Sequence, residues 1–259
     1  MRYTLILLLL SFSIKAQKPY FPGKIWMEKS PESQGVDSKK ILDAIEFAKK
    51  NENSVDRDLR ISILKSFGHE PGYRIKGPTK KRGETNGLII KNGYIIGKWG
   101  DTKRVDMTFS VTKSYLSTVA GIAYDKKIIS IEDKLSNYIW DGKFDDPHNS
   151  QITWHHLLNQ SSQWSGELFG TYDWADRPPR GLSLEKIKKQ KILSPGKAYK
   201  YNDVRVNLLS YSLLNVFRKP LPVVLKENIM DPIDSSPTWR WFGYDNSMVI
   251  VDGINVQSV

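Results

Sequence analysis

Phe109-Ser110-Val111-Thr112-Lys113-Ser114-Tyr115-Leu116-Ser117-Thr118-Val119-Ala120-Gly121-Ile122-Ala123 reads as a helix with a serine at its mouth and a lysine one turn later. Leu116, Val119, Ala120 and Ala123 recur at helical spacing and predict a central helix packed on most sides. A serine hydroxyl is a poor nucleophile until something takes its proton, and Lys113 projects from the same helix face as Ser110. Backbone N–H groups at a helix start lack helical acceptors, so the Ser110 N–H is placed to face a developing oxyanion.

The spacing alone does not select Ser110, because Ser-x-x-Lys recurs at Ser62/Lys65, Ser183/Lys186 and Ser194/Lys197. Ser62 lies in a short run ending at Gly68. Ser183 reads as the N-cap of a charged, solvated helix, and Ser194 stands in a Ser-Pro-Gly turn. Only Ser110 combines a helix start with an apolar, small-residue body behind it.

Upstream, Gly87 to Lys91, Asn92-Gly93 and Tyr94 to Trp99 give the clearest hairpin signal, with Asn-Gly favouring a two-residue turn. Earlier, Asp37-Ser38 opens a helix to about Lys50 with a buried stripe of Ile41, Leu42, Ile45 and Ala48. Residues 51–86 read as irregular or exposed. Downstream, helices are expected at Ile152 to Asn159, Ser183 to Ile192, Asp203 to Phe217 and Leu221 to Met230. A loop spans Ser161 to Pro179, and a second hairpin runs from Met248 to Val259. Strands at both ends with helices between them predict a sheet whose edges come from distant parts of the chain, with a helical region inserted.

From Ser194 the chain continues Pro195-Gly196-Lys197-Ala198-Tyr199-Lys200-Tyr201-Asn202-Asp203. Together with Ser110-x-x-Lys113, this resembles the serine β-lactamase and penicillin-binding-protein superfamily, in its class C β-lactamase and esterase-like branch. The likeness runs from about Pro31 to the C-terminus and includes the Gly87 to Trp99 hairpin and Thr153 to Ser162. It implies an α/β (α+β) fold of the β-lactamase/transpeptidase type: an antiparallel sheet flanked by helices. It further implies Ser110 as acylated nucleophile, Lys113 as its proton-transfer partner and Tyr201 as general base or phenolic relay.

Asp203 stands where that family usually has Asn. A carboxylate near Lys113 favours the ammonium form, and the cation in turn favours a Tyr201 phenolate. Tyr201 is then the stronger base, with Lys113 mainly electrostatic. A helix N-cap is the bland alternative for Asp203. The family's third motif, Lys-Thr-Gly or His-x-Gly on a later strand, is absent after Val206, and Lys91-Asn92-Gly93 is better explained as the hairpin turn. The domain is therefore expected to be incomplete at its C-terminus, with one oxyanion donor missing. Losing such a donor costs on the order of 10²–10³ in kcat.

Residues 1–16, with Arg2, an apolar run over Leu5 to Leu10 and Ala16, predict a signal peptide cleaved after Ala16, leaving one domain over 17–259 and a periplasmic or secreted protein. With 0 cysteines, neither disulfides nor a thiol nucleophile enter. The formal net charge of +11 is dispersed, which argues against nucleic acid and fits a solvated basic surface or peripheral contact with an anionic cell envelope.

No cofactor or metal is expected. His69, His148, His155 and His156 lack ligand-like spacing. Asp173 and Asp176 read as part of a solvated loop with aromatic anchors, or else as lining a cleft mouth. The sequence thus supports an exported serine hydrolase acting on a small-molecule or peptide-like ester, amide or β-lactam. Its alternative is a vestigial binding protein without turnover.

Overall fold

The computed structural model describes residues 20–258, so the expected signal peptide and Val259 lie outside the described residues. The described chain forms two compact units, one from residues 20–52 and 85–102, the other from 53–84 and 103–258.

The first unit packs a helix on a hairpin. Helix α1 (Ser38–Lys50) starts where expected, because the Asp37 carboxylate accepts from the Lys39 and Lys40 N–H groups at its N-terminus. Of the expected stripe, Ile45 is buried, Ile41 and Ala48 are half-buried, and Leu42 is exposed. Strands β1 (Gly87–Lys91) and β2 (Tyr94–Trp99) pair antiparallel, with a register shift between Ile89 and Ile90. Their turn holds Asn92 and Gly93 at φ of 52° and 83°, the left-handed pair that an Asn-Gly hairpin turn requires.

The second unit is mostly helical. Helix α2 (Leu59–Phe67), capped by Asp58, occupies part of the stretch expected to be irregular. Its apolar residues lack a clean periodic stripe, since Ile61 and Leu64 are exposed while Leu59 is buried. Helix α3 (Thr112–Asp125) follows a 3-10 turn over Phe109–Val111, so Ser110 sits in that turn, just before the α-helix.

Helix α4 (Trp154–Leu158) is shorter than expected and begins at a reciprocal cap between Thr153 and His156. Within the expected 161–179 loop lie strands β3 (Glu167–Leu168) and β4 (Thr171–Tyr172) and a 3-10 turn over Asp173–Ala175. Helix α5 (Leu184–Lys188) is capped by the Ser183 hydroxyl. Helix α6 (Asp203–Phe217) and helix α7 (Leu221–Leu225) follow, the latter continuing into a π turn over Lys226–Met230. The last hairpin joins β5 (Met248–Val251) to β6 (Ile254–Gln257).

Two expectations change. The central helix is α6, on which Val204, Leu208, Leu209, Tyr211, Leu213 and Leu214 are all buried. On α3, Leu116, Val119, Ala120, Ile122 and Ala123 join the same core, while Ser114, Thr118, Gly121 and Tyr124 are exposed. The strands also do not join into one sheet across the chain. Among the described residues they form three separate antiparallel pairs, β1 with β2, β3 with β4 and β5 with β6. Each pair is closed by its own short turn, so local hairpin chemistry governs pairing at both ends of the chain.

Candidate active site

Ser110, Lys113, Tyr201 and Asp203, picked from the sequence, converge in the second unit. The Ser110 Oγ lies 2.6 Å from the Tyr201 hydroxyl oxygen, and the Lys113 Nζ donates to the same Oγ at 3.3 Å. Lys113 also donates to Asp203 Oδ1 at 2.7 Å, and its Nζ stands 4.9 Å from the centre of the Tyr201 ring. Ser110 is exposed, whereas Lys113, Tyr201 and Asp203 are half-buried. Ser110 in the 3-10 turn and Lys113 in the first turn of α3 are three residues apart on one continuous helical path, which brings both to Tyr201.

Tyr201 is aimed by its neighbours in the chain. The Lys200 N–H donates to the Gln160 carbonyl at 3.2 Å, and the Asn202 N–H donates to the Gln160 side-chain oxygen at 2.7 Å. One residue therefore grips the main chain on both sides of Tyr201. Further back, the Gly196 N–H donates to the Ser161 carbonyl at 2.9 Å, with Gly196 at φ of 84°. A side chain there would be strained, and its Cβ would come within 2.9 Å of His156 Nε2. The Pro195-Gly196 turn is thus what lets the 196–202 segment lie along residues 160–163.

Helix α6 is capped by Asn202, whose side-chain oxygen accepts from the Arg205 N–H at 3.0 Å. Asp203 is consequently the first helical residue and not the N-cap. Its carboxylate is taken up by two cations, Lys113 through Oδ1 and Arg177 through Oδ2, each at 2.7 Å. An acidic residue in a first helical turn is also favoured by the helix dipole.

Asp173 and Asp176 correct the reading of a solvated loop. Asp173 is buried and forms a two-bond pair with Arg205, Nε to Oδ1 at 2.7 Å and Nη2 to Oδ2 at 2.9 Å. Its carbonyl accepts from Asn202 Nδ2 at 3.0 Å. Asp176 Oδ2 accepts the Asp203 N–H at 2.5 Å. The loop folds inward because its carboxylates find donors at the start of α6, which no local pattern in 161–179 reveals.

The electrostatics follow from this crowding. Burial works against the Lys113 charge, yet the Asp203 carboxylate and Tyr201 beside it hold its pKa above the ordinary lysine value. Burial would raise the Tyr201 pKa, but hydrogen bonding with Lys113 and Ser110 brings it below that of a free tyrosine. Burial likewise opposes the Asp203 charge, and Lys113 with Arg177 outweighs it and keeps the carboxyl ionised. Asp176 is the exception: burial and the neighbouring Asp203 charge push it up to about 6.

Of the other serine–lysine pairs, Ser183 is a helix cap, and Ser194 accepts the Lys197 N–H in a turn. Ser62 sits within α2. Four neighbours of the site were not singled out as functional from the sequence: Arg177, Phe67, Gln160 and Asn202. The Asn202 cap was recognisable from its position before the apolar α6 run, while Arg177 carried no signal of its own. Among the described residues no group of histidines and carboxylates has the geometry of a metal site, and no helix is long and apolar enough to cross a membrane.

Similar structures include a β-lactamase/D-alanine carboxypeptidase from Yersinia pestis crystallised with citrate, at 21% identity and a TM-score of 0.34 over 48% of this chain and 37% of that one. An octameric penicillin-binding protein homologue from Pyrococcus abyssi matches at 19% identity and a TM-score of 0.34, over 48% of this chain and 30% of that one. EstCE1, a hydrolase with promiscuous acyltransferase activity, matches at 18% identity and a TM-score of 0.39, over 67% of this chain and 50% of that one. The chain therefore spans half or less of the length of each of these structures. No curated protein matches it. The family described as Beta-lactamase matches over residues 88–241. That span is more than half of the chain and contains every residue that meets Ser110, and the mixed architecture of helices and small antiparallel pairs agrees with it: the chain belongs to the beta-lactamase family.

Proposed function

We propose that this protein is an exported serine hydrolase that forms an acyl-enzyme at Ser110 with a small-molecule or peptide-like ester, amide or β-lactam. The carrying observation is the placement of one hydroxyl, Ser110 Oγ, at 2.6 Å from Tyr201 and 3.3 Å from Lys113. In this reading Tyr201, acidified by the adjacent ammonium, accepts the Ser110 proton as Oγ attacks the substrate carbonyl carbon. The Ser110 N–H faces the oxygen that gains charge. Tyr201 then returns the proton to the departing alkoxide or amine. Water attacks the ester in the second half, giving up a proton to Tyr201, which passes it to the departing Ser110 Oγ, so that serine and phenolate are both restored.

Asp203 holds Lys113 as a cation throughout, so Lys113 acts on Tyr201 by charge and does not need to exchange its own proton. The alternative reading is a binding protein that retains the pocket without turnover. A fluorophosphonate or penicillin probe, with the adduct located by mass spectrometry, separates the two. The hydrolase reading expects an adduct on Ser110 that is lost in Ser110→Ala and Tyr201→Phe. A folded protein that leaves Ser110 unmodified by either probe overturns it.

A further inference from the structure

Arg177 enters the site from the loop that follows the Asp173–Ala175 turn, and it does two things at once. Its Nη2 donates to Asp203 Oδ2 at 2.7 Å, on the opposite side of that carboxylate from Lys113. Its guanidinium carbon lies 4.6 Å from the centre of the Tyr201 ring and 5.2 Å from that of Phe67, so the cation is held between two aromatic rings. Both distances fall within the range at which a cation and an aromatic face attract. The Arg177 Nε is buried between these groups without a hydrogen-bond partner, and its backbone φ of 48° is a left-handed conformation that a non-glycine residue adopts at a cost. A surface arginine needs neither feature. The surrounding fold holds it in place.

A carboxylate at position 203 has two opposed effects on Tyr201. Through Lys113 it secures a cation beside the phenol, but its own negative charge disfavours a second anion nearby. Arg177 answers the second effect, because it neutralises Asp203 from the side Lys113 does not reach and adds its own positive charge against the Tyr201 ring. A planar guanidinium suits this double task, one edge donating to oxygen while the face stacks on carbon.

We propose that Arg177 is a positioning residue for the Ser110 site, offsetting the carboxylate at Asp203 and stacking on the Tyr201 ring so that its hydroxyl stays on Ser110. The inference rests on the acyl-transfer reading for its purpose, but its physical content is separate: Arg177 bears on the ionisation of Tyr201 because the Asp203 carboxylate holds its guanidinium against that ring. The groups that bear on Tyr201 are Ser110 from the 3-10 turn, Lys113 from α3, Arg177 from the loop and Asp203 from α6. Asp176 acts on Asp203 and Arg177, and Tyr244 faces Asp203, Lys113 and Asp176. Glu70, after α2, acts on Asp176.

The test is a titration of Tyr201 in the full chain by ¹³Cζ-tyrosine NMR, its signal assigned by loss in Tyr201→Phe, which requires no turnover. Arg177→Gln is expected to raise the Tyr201 midpoint by about one pH unit, at the lower end of what a nearby cation contributes. In an Asp203→Asn background the same replacement moves it by much less than half of that. Arg177→Lys, which keeps the charge but cannot stack and donate together, falls between. A midpoint unmoved in Arg177→Gln, or moved equally with and without the Asp203→Asn replacement, overturns the proposal. Circular dichroism and thermal melts establish that each variant is folded, and Arg177→Lys carries the test if Arg177→Gln is not. Probe labelling of Ser110 on the same samples reports the acyl-transfer reading independently. An unlabelled wild type with the expected titrations would sink that reading and leave the Arg177 assignment standing.

Discussion

Ser110 and Lys113 at the mouth of α3, and Tyr201 and Asp203 around the start of α6, were all recognisable as a set because each belongs to a short motif in which local spacing carries the chemistry. Arg177 and Asp176 were not, since their meaning comes from where a long loop returns, and that trajectory is fixed by donors at the start of α6. Asp176 yields a test of this crowding. Its carboxyl titrates at about 6 against an ordinary 3.8. The folded state therefore holds that proton more tightly than the unfolded chain, and stability falls as pH rises from about 4 to 6, with the loss complete above. Asp176→Asn keeps an acceptor for the Asp203 N–H and abolishes the loss. Urea unfolding at pH 4 and pH 7 is expected to show the variant gaining on wild type as pH rises, by at most roughly 3 kcal/mol at 1.36 kcal/mol per pH unit. A constant difference between the two proteins across that range would refute the account.

At the scale of elements, the start of α6 is the joint on which the site turns. Asn202 caps the helix, Asp203 faces the cations, and Arg205 is sealed to Asp173. The pair matters for what happens when one half is removed. Asp173→Ala leaves the Arg205 guanidinium buried without its carboxylate, and such losses cost about 3–5 kcal/mol. Denaturant unfolding measures this directly, and a cost below about 1 kcal/mol would mean that the pair is not sealed from water. Helix α6 itself was legible from its apolar run, as were α1 from Asp37 and the two hairpins from Asn92-Gly93 and Asp252-Gly253. Helix α2 was missed because its residues show no clear stripe, although Asp58 before it and Gly68 after it have the chemistry of helix ends. The exposed face of α3 was missed for a related reason: small residues such as Ser114, Thr118 and Gly121 permit close packing without requiring it.

For the whole molecule, charge is the property with the longest reach. A formal net charge of +11 attracts anionic surfaces at distances set by the ionic strength. Association with vesicles containing phosphatidylglycerol is expected at low salt and is expected to fade as salt exceeds the physiological range. Retention that does not respond to salt would remove charge as its cause. The placement of helices between two hairpins was also readable at this scale. The expectation of one sheet did not hold among the described residues, because period and turn chemistry specify hairpins while pairing between distant strands depends on contacts a linear pattern does not contain. A last consequence follows from Gln160, which grips the main chain on both sides of Tyr201 and itself adopts φ of 57°. Fixing a residue's backbone costs roughly 1–2 kcal/mol in entropy, and here that cost falls on folding. Tyr201 therefore need not be frozen anew at each encounter with a substrate, and the temperature dependence of Ser110 modification should reflect bond making more than the ordering of the base.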